Sequence, residues 1–441
     1  MFSGSGIGWE EDGMVVSDNA ERRDVVAFYA LTAFAALMYM VPQAWIPALA
    51  PLRLALLTSG LAAGLMALRR VGRAEPLFFD GARGLALLAF SGLALASMTW
   101  SVNPEVTRYT AIELLKLTAI YLTLVNVVTT PRRLAVMCGA VVLASIVTSH
   151  GVINTYLTGT PATLVEGYRA HWVEVYADPN RSAMNLAVVV PLAVAFLARK
   201  ESHWVWRTVC AVAVTVAVVA IVFTFSRGGF IGLSVAMAIW ALREQKKLRS
   251  VLIGAALALG LVLFAPKSFW QRNETVATFQ QDASAMGRVY AWQVTSRISL
   301  DKPLLGVGAG SFRFAWPLYA PPEATRAYVA HNVFLDVIGE LGWVGLLFFL
   351  VFAGGAAGGA FEASRSTRVG WLARGLSASM AGYLICQLFS GYILSAHLYV
   401  LFGLAACAQR IARTQAVEES VGIPVVKGQL SASWEGSNNA A

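Results

Sequence analysis

The sequence predicts an all-α polytopic membrane protein, and three observations predict it. Hydrophobic residues fill 57% of the 441 positions and charged ones only 13%. Apolar runs recur from residue 25 to residue 412, each near the roughly 20 residues a helix needs to cross a bilayer's hydrocarbon. The net charge is +9, and Lys and Arg gather in alternate connections between those runs. A soluble globular protein is excluded by the first two observations, and the third orients the chain.

Apolar windows bounded by charge, Pro or Gly place spans at 26–42, 47–68, 84–99, 108–128, 134–150 and 182–198. Six more follow at 208–224, 228–242, 251–265, 331–353, 375–391 and 395–412, twelve in all. Residues 1–24 carry Glu10, Glu11, Asp12 and Asp24 without an apolar stretch, so they predict a cytoplasmic tail rather than a cleaved signal. The membrane unit then runs over 25–412, and 413–441, ending SASWEGSNNAA, predicts a disordered cytoplasmic extension. The even-numbered connections hold Arg69, Arg70, Arg83, Arg133, Arg199, Arg243, Arg368, Arg410 and Arg413 among most of the 34 basic residues. The positive-inside rule makes that face, and both termini, cytoplasmic. Most of the +9 is therefore a topology signal and implies no nucleic acid partner. Cys138, Cys210, Cys386 and Cys407 all fall inside apolar runs, where cysteine acts as a small packing residue rather than as half of a disulfide or metal site.

The opposite face holds the connections 99–108, 151–181 and 225–228, and one large loop at about 266–330 between spans nine and ten. That loop carries Lys267, Arg272, Arg288, Arg297, Lys302, Arg313 and Arg326 against Glu274, Asp282, Asp301 and Glu323. An anionic ligand would explain a positive loop there; the alternative is that long translocated loops escape the charge rule.

Chemistry is expected at four places on this face. In Thr224-Phe225-Ser226-Arg227-Gly228-Gly229, Arg227 presents a fork of donors suited to phosphate. The glycines add backbone N–H groups at a helix N-terminus, where anions are favoured; a snorkelling arginine beside a glycine turn is the bland reading. In the segment from Ala330 to Gly342, His331 stands at a helix start, and a histidine near neutrality is the commonest general base. An interfacial or capping histidine is the bland reading here. Asp336 and Glu340, five and nine residues on, must face protein or water, over a hydrated cavity or as partners of Arg108 or Lys116. Gly287-Arg288 with Trp292 offers a second arginine. The glycine series Gly306-Val307-Gly308-Ala309-Gly310 that follows predicts a turn between short interfacial helices, because no βαβ unit or Walker lysine accompanies it. Asp178-Pro179-Asn180-Arg181 and Trp100-Ser101-Val102-Asn103-Pro104 predict helix starts, with Arg181 either sharing an anion with Arg227 or snorkelling at its helix entry. Glu113 and Lys116, three apart in the fourth span, predict a structural ion pair.

Taken in order, W-S-V-N-P, D-P-N-R, T-F-S-R-G-G, G-R-x-x-x-W, K-P-L-L-G-V-G-A-G-S-F and A-H-N-x-x-L-x-x-x-G-E-L-G-W-x-G resemble the O-antigen ligase and polymerase superfamily. The motifs cover residues 100–345, and the twelve-span plan extends the likeness to nearly the whole chain. The resemblance implies a GT-C-like membrane glycosyltransferase of the bacterial inner membrane with its site facing the periplasm. It would move a glycan from undecaprenyl pyrophosphate to an acceptor, with no cofactor and no metal. It implies that His331 is the base for the acceptor hydroxyl and that Arg227 and Arg288 engage the donor pyrophosphate. Arg181, Asn332, Asp178, Asn180 and Ser226 complete the expected substrate site.

Within that superfamily one dominant late loop suits a ligase, with lipid A core as acceptor, better than a polymerase. The absence of a periplasmic domain after the last span disfavours a protein oligosaccharyltransferase. A transporter of polyprenyl-linked glycans would show internal repeats and polar residues through the membrane depth. The expected partners are the lipid-linked donor, lipid A core and membrane lipids, with the chain acting as a monomer.

Overall fold

The computed structural model describes residues 24–244, 283–324 and 326–420, and these are helical, with one isolated bridge between Val165 and Arg169 and no strand. Eleven of the twelve apolar windows coincide with a helix. The window 251–265, the loop up to residue 282, residues 1–23 and the tail from 421 lie outside the described residues.

Helix α1 spans Val25–Met40 and, after two short 3-10 segments, α2 spans Leu54–Gly72. There follow α3 Gly81–Ala96, α4 Pro104–Val127, α5 Pro131–Thr158, α6 Pro179–Ala198, α7 Trp204–Phe223 and α8 Arg227–Arg243. The segment before the next long helix contributes α9 Ala283–Asp301 and α10 Phe312–Tyr319. The chain closes with α11 Val333–Ala363, α12 Gly370–Gln387 and α13 Ala396–Ser420. Local chemistry sets several starts: Asn103, Thr130 and Asp178 cap α4, α5 and α6 through their side chains, each followed by Pro at the first helical position.

Among the described residues seven helical segments are long and apolar enough to cross a membrane, and α1 is apolar but shorter. The bundle is organised around α6, whose apolar stretch is 83% buried. It packs against α7, α8 and α12, while α11 packs against α3, α12 and α13. On the rim, Leu56, Leu57 and Leu61 of α2 and Leu347 and Leu350 of α11 turn large apolar side chains outward, as a helix facing acyl chains requires. Small residues bring α8 and α12 together: a Cβ on Gly232 would stand 2.2 Å from Cys386 Sγ, the close approach typical of membrane helices. Cys386 and the other three cysteines are buried and free. Lys116 Nζ lies 2.5 Å from Glu113 Oε1, the expected ion pair.

The chain does not loosen at residue 413. Helix α13 continues to Ser420 because Arg368 pairs with Glu418 at 2.6 Å and Ser366 donates to Gln415 at 2.7 Å. Composition alone favoured disorder there, and tertiary partners supply the order.

The glycine series is the turn between α9 and α10, as expected, and its amides are spent inside the protein. Gly306 N donates to Lys302 O, Val307 N to Gly339 O, Gly308 N to Glu340 O, Ala309 N to Ser97 Oγ and Gly310 N to Glu340 Oε2. No phosphate cradle is left. The turn wedges into a break in α11 at Gly342, where φ is 66° and a Cβ would stand 2.2 Å from the Leu304 carbonyl. Only glycine fits that conformation at that distance. Ser101, Thr107 and Ser311 join their hydroxyls over 2.7–3.0 Å beneath the turn. The W-S-V-N-P, G-V-G-A-G-S-F and G-E-L-G-W segments are thus one packed knot. Glu340 belongs to it as an acceptor for Gly310 N at 2.7 Å, not as a partner of Arg108 or Lys116.

Candidate functional site

Three helix N-termini meet at one end of the bundle. Ser226 caps α8 by accepting from Gly229 N at 3.1 Å and donates to Asn180 Oδ1 at 2.9 Å, which ties the start of α8 to the second residue of α6. The turn after α12 links α8 to α11. A Cβ on Gly228 would stand 2.6 Å from Phe389 Cβ, and one on Gly391 would stand 2.4 Å from Val333 N. Arg181 of α6 stacks over Tyr392 in the same turn, 3.8 Å from the ring centre. Asn332 caps α11 by accepting from Phe334 N at 3.0 Å and Leu335 N at 3.2 Å. The positive ends of α6, α8 and α11 therefore gather, an arrangement that favours an anion.

Gly228 and Gly229 act here through size. Gly229 N is already used by the Ser226 cap, and its missing Cβ leaves room for Ala183. The expectation that both glycines offer N–H groups to a ligand is corrected to that extent.

Helix α9 brings Arg288 to the same place. The Trp292 indole N–H, one turn further along, donates to Ala330 O at 3.2 Å, and Gly287 lets the Tyr328 ring lie against the helix. Ala330 immediately precedes His331, so the G-R-x-x-x-W pattern fixes the arginine beside the histidine. His331 itself has φ 51°, a left-handed conformation that costs about 1–3 kcal/mol and persists where the surroundings impose it. Phe225 holds φ 50° at the equivalent position before the cap of α8. Both candidate helices begin with the same bend.

Electrostatics around His331 show what the fold has assembled. Its pKa is pushed down from 6.5 to about 4, first by burial, then by the guanidinium of Arg288, with Arg181 and Arg169 adding to the effect and Asp178 opposing it. Four charged groups from α6, α9 and the connection before α6 thus act on one imidazole. The sequence suggested a histidine near neutrality; burial among arginines places it lower, so it is neutral at pH 7 and able to accept a proton.

The remaining expected residues divide by what their side chains do. Asp178 accepts from Asn180 N at 2.7 Å and Arg181 N at 3.2 Å as the cap of α6. Asn180, Ser226 and Asn332 are likewise cap and cross-link groups that hold the arginines and the histidine. Arg227 opens α8 one residue after its cap and is half-buried, as are Arg181, Arg288 and His331.

Arg169 was not legible beforehand. It is 4% exposed and donates from Nε to Thr224 O at 3.0 Å, from Nη1 to Glu166 at 3.1 Å and from Nη2 to Asn180 Oδ1 at 2.7 Å. An arginine with no motif around it, in a 31-residue connection, 151–181, gives no signal of that role in sequence. Among the described residues no group of three or more His, Cys, Asp or Glu side chains is placed to hold a metal ion.

Residues 212–350 match the family model described as O-antigen ligase. The match starts within α7, includes α8, α9 and α10, and ends within α11, so it contains Arg227, Arg288 and His331. No curated protein matches the chain.

Proposed function

From a chain that carries an O-antigen ligase family domain across residues 212–350, we propose a glycosyltransferase that joins undecaprenyl-pyrophosphate-linked O-antigen to a sugar hydroxyl of lipid A core on the periplasmic face. The observation that carries this reading is the gathering of Arg288, Arg181, Arg169 and Asp178 around His331, where α6, α8 and α11 begin.

In the proposed reaction His331 takes the proton from the acceptor hydroxyl as its oxygen bonds to the anomeric carbon. The bond from that carbon to the pyrophosphate oxygen breaks with inversion, and undecaprenyl pyrophosphate leaves. Arg227 and Arg288 stabilise the charge that grows on the leaving group, aided by the helix N-termini. Arg288, the neighbouring charge that lowers the pKa of His331 most, is also one of the two arginines the pyrophosphate would neutralise. Donor binding therefore makes His331 a stronger base when a donor is present to be attacked.

The test is transfer in vitro with purified protein, lipid-linked glycan and rough lipopolysaccharide, with EDTA present and with His331→Ala and Arg227→Ala as controls. Glycan on the lipid A core that survives EDTA and is lost in both variants is the expected result. Chain lengthening on the undecaprenyl carrier would make the protein a polymerase. Carrier movement across vesicles without either product would make it a transporter.

A further inference from the structure

A second concentration of arginine lies at the other end of the bundle, away from His331. One cavity of about 450 Å³ opens between the start of α3 and the last turns of α13, lined by Phe78, Asp80, Arg83, Arg410, Arg413 and Val417 among others. A second, of about 240 Å³, lies among the ends of α1 and α2 and the turn between α4 and α5, and includes Arg69, Arg70, Glu75, Arg133 and Arg410. Arg410 is common to both.

The charges there are unevenly satisfied. Arg83 pairs with Asp80 at 2.7 Å, Arg413 with Glu362 at 2.7 Å, Arg69 with Asp24 at 2.6 Å and Arg70 with Glu75 at 3.3 Å. Arg410 donates to Val125 O at 2.8 Å and stacks on Phe78, 4.3 Å from the ring centre. Among the described residues no carboxylate lies within ion-pair distance of it, the two in the wall of the first cavity, Asp80 and Glu418, being bonded to Arg83 and Arg368. A guanidinium at this depth calls for an anion, and its fork suits phosphate.

The walls indicate which phosphate. Val417 is 61% and Phe78 36% exposed at the first cavity, so an apolar surface adjoins the charge. The arginines of both cavities belong to the connections that the charge pattern assigns to the cytoplasmic face. The volume equals about 15 waters, room for a phosphodiester and the glycerol beside it. We propose that this cleft binds the phosphate of an anionic phospholipid of the inner leaflet, with Arg410 as its principal ligand.

The test uses the full-length protein in neutral detergent, with phosphatidylglycerol as the probe and native mass spectrometry and thermal unfolding as readouts. Wild-type protein should retain phosphatidylglycerol and unfold at a higher temperature in its presence than with phosphatidylcholine. Arg410→Gln should lower retention about tenfold and abolish the difference in Tm, while Arg410→Lys, which keeps the charge, should preserve much of both. Elution and Tm in lipid-free detergent establish that each variant is folded, and the wild-type lipid comparison needs no variant. Equal stabilisation by phosphatidylcholine, undiminished retention by Arg410→Gln, or full replacement of the lipid's effect by inorganic phosphate would overturn the proposal.

Discussion

Arg288 should set the pH at which the protein loses activity in acid, and Arg288→Gln tests this. The His331 pKa stands at about 4 rather than 6.5, and among neighbouring charges Arg288 depresses it most, after burial. His331 acts as a base only when neutral, so kcat/KM, which reports the free protein, should hold above the pKa and fall below it. Removing the Arg288 charge while burial, Arg181 and Arg169 remain should return about 1 pH unit of the displacement, or about 1.4 kcal/mol between protonation states. The acid limb of kcat/KM should therefore move up from about 4 towards 5 in the variant. The height of the profile should fall as well if Arg288 engages the donor as proposed, so the position of the limb is the readout. The assay is transfer from the lipid-linked donor to rough lipopolysaccharide from about pH 3 to pH 8. A limb that stays in place, or moves lower, would refute the electrostatic assignment.

Two further outcomes follow from the packing. Gly342→Ala should lower Tm, measured by thermal unfolding, since its Cβ would meet the Leu304 carbonyl at 2.2 Å in a left-handed backbone, a cost of about 2 kcal/mol or more. Trp292→Phe should leave Tm nearly unchanged yet lower kcat by up to about tenfold, because it deletes the bond from α9 to Ala330 that sets Arg288 beside His331, worth about 1 kcal/mol; unaltered kcat would separate that bond from function.

The helices and the site they build are unequally visible in sequence. Helices are legible because apolar length is a local property, and eleven windows met a helix for that reason. Asp178-Pro179 and Ser226-Arg227 announce helix starts through cap chemistry, and those starts are where the arginines stand. The convergence of the starts is not local: it depends on Asn180 accepting from both Arg169 and Ser226, and on an indole reaching a carbonyl 38 positions away. The role of Arg169 is hidden in sequence for the same reason. The glycine series shows the converse. Without a βαβ unit or Walker lysine it reads as a turn, but that its amides go to Glu340, Gly339 and Ser97 is seen only in the folded chain.

In the proposed reaction the arginines hold a pyrophosphate while His331 handles a proton, and a binding measurement separates the two roles. Affinity for undecaprenyl pyrophosphate should weaken in Arg227→Gln and Arg288→Gln, by about tenfold or more each. His331→Gln should bind it nearly as wild type does and yet transfer no glycan. Undiminished binding in both arginine variants, or transfer that survives in His331→Gln, would contradict the account.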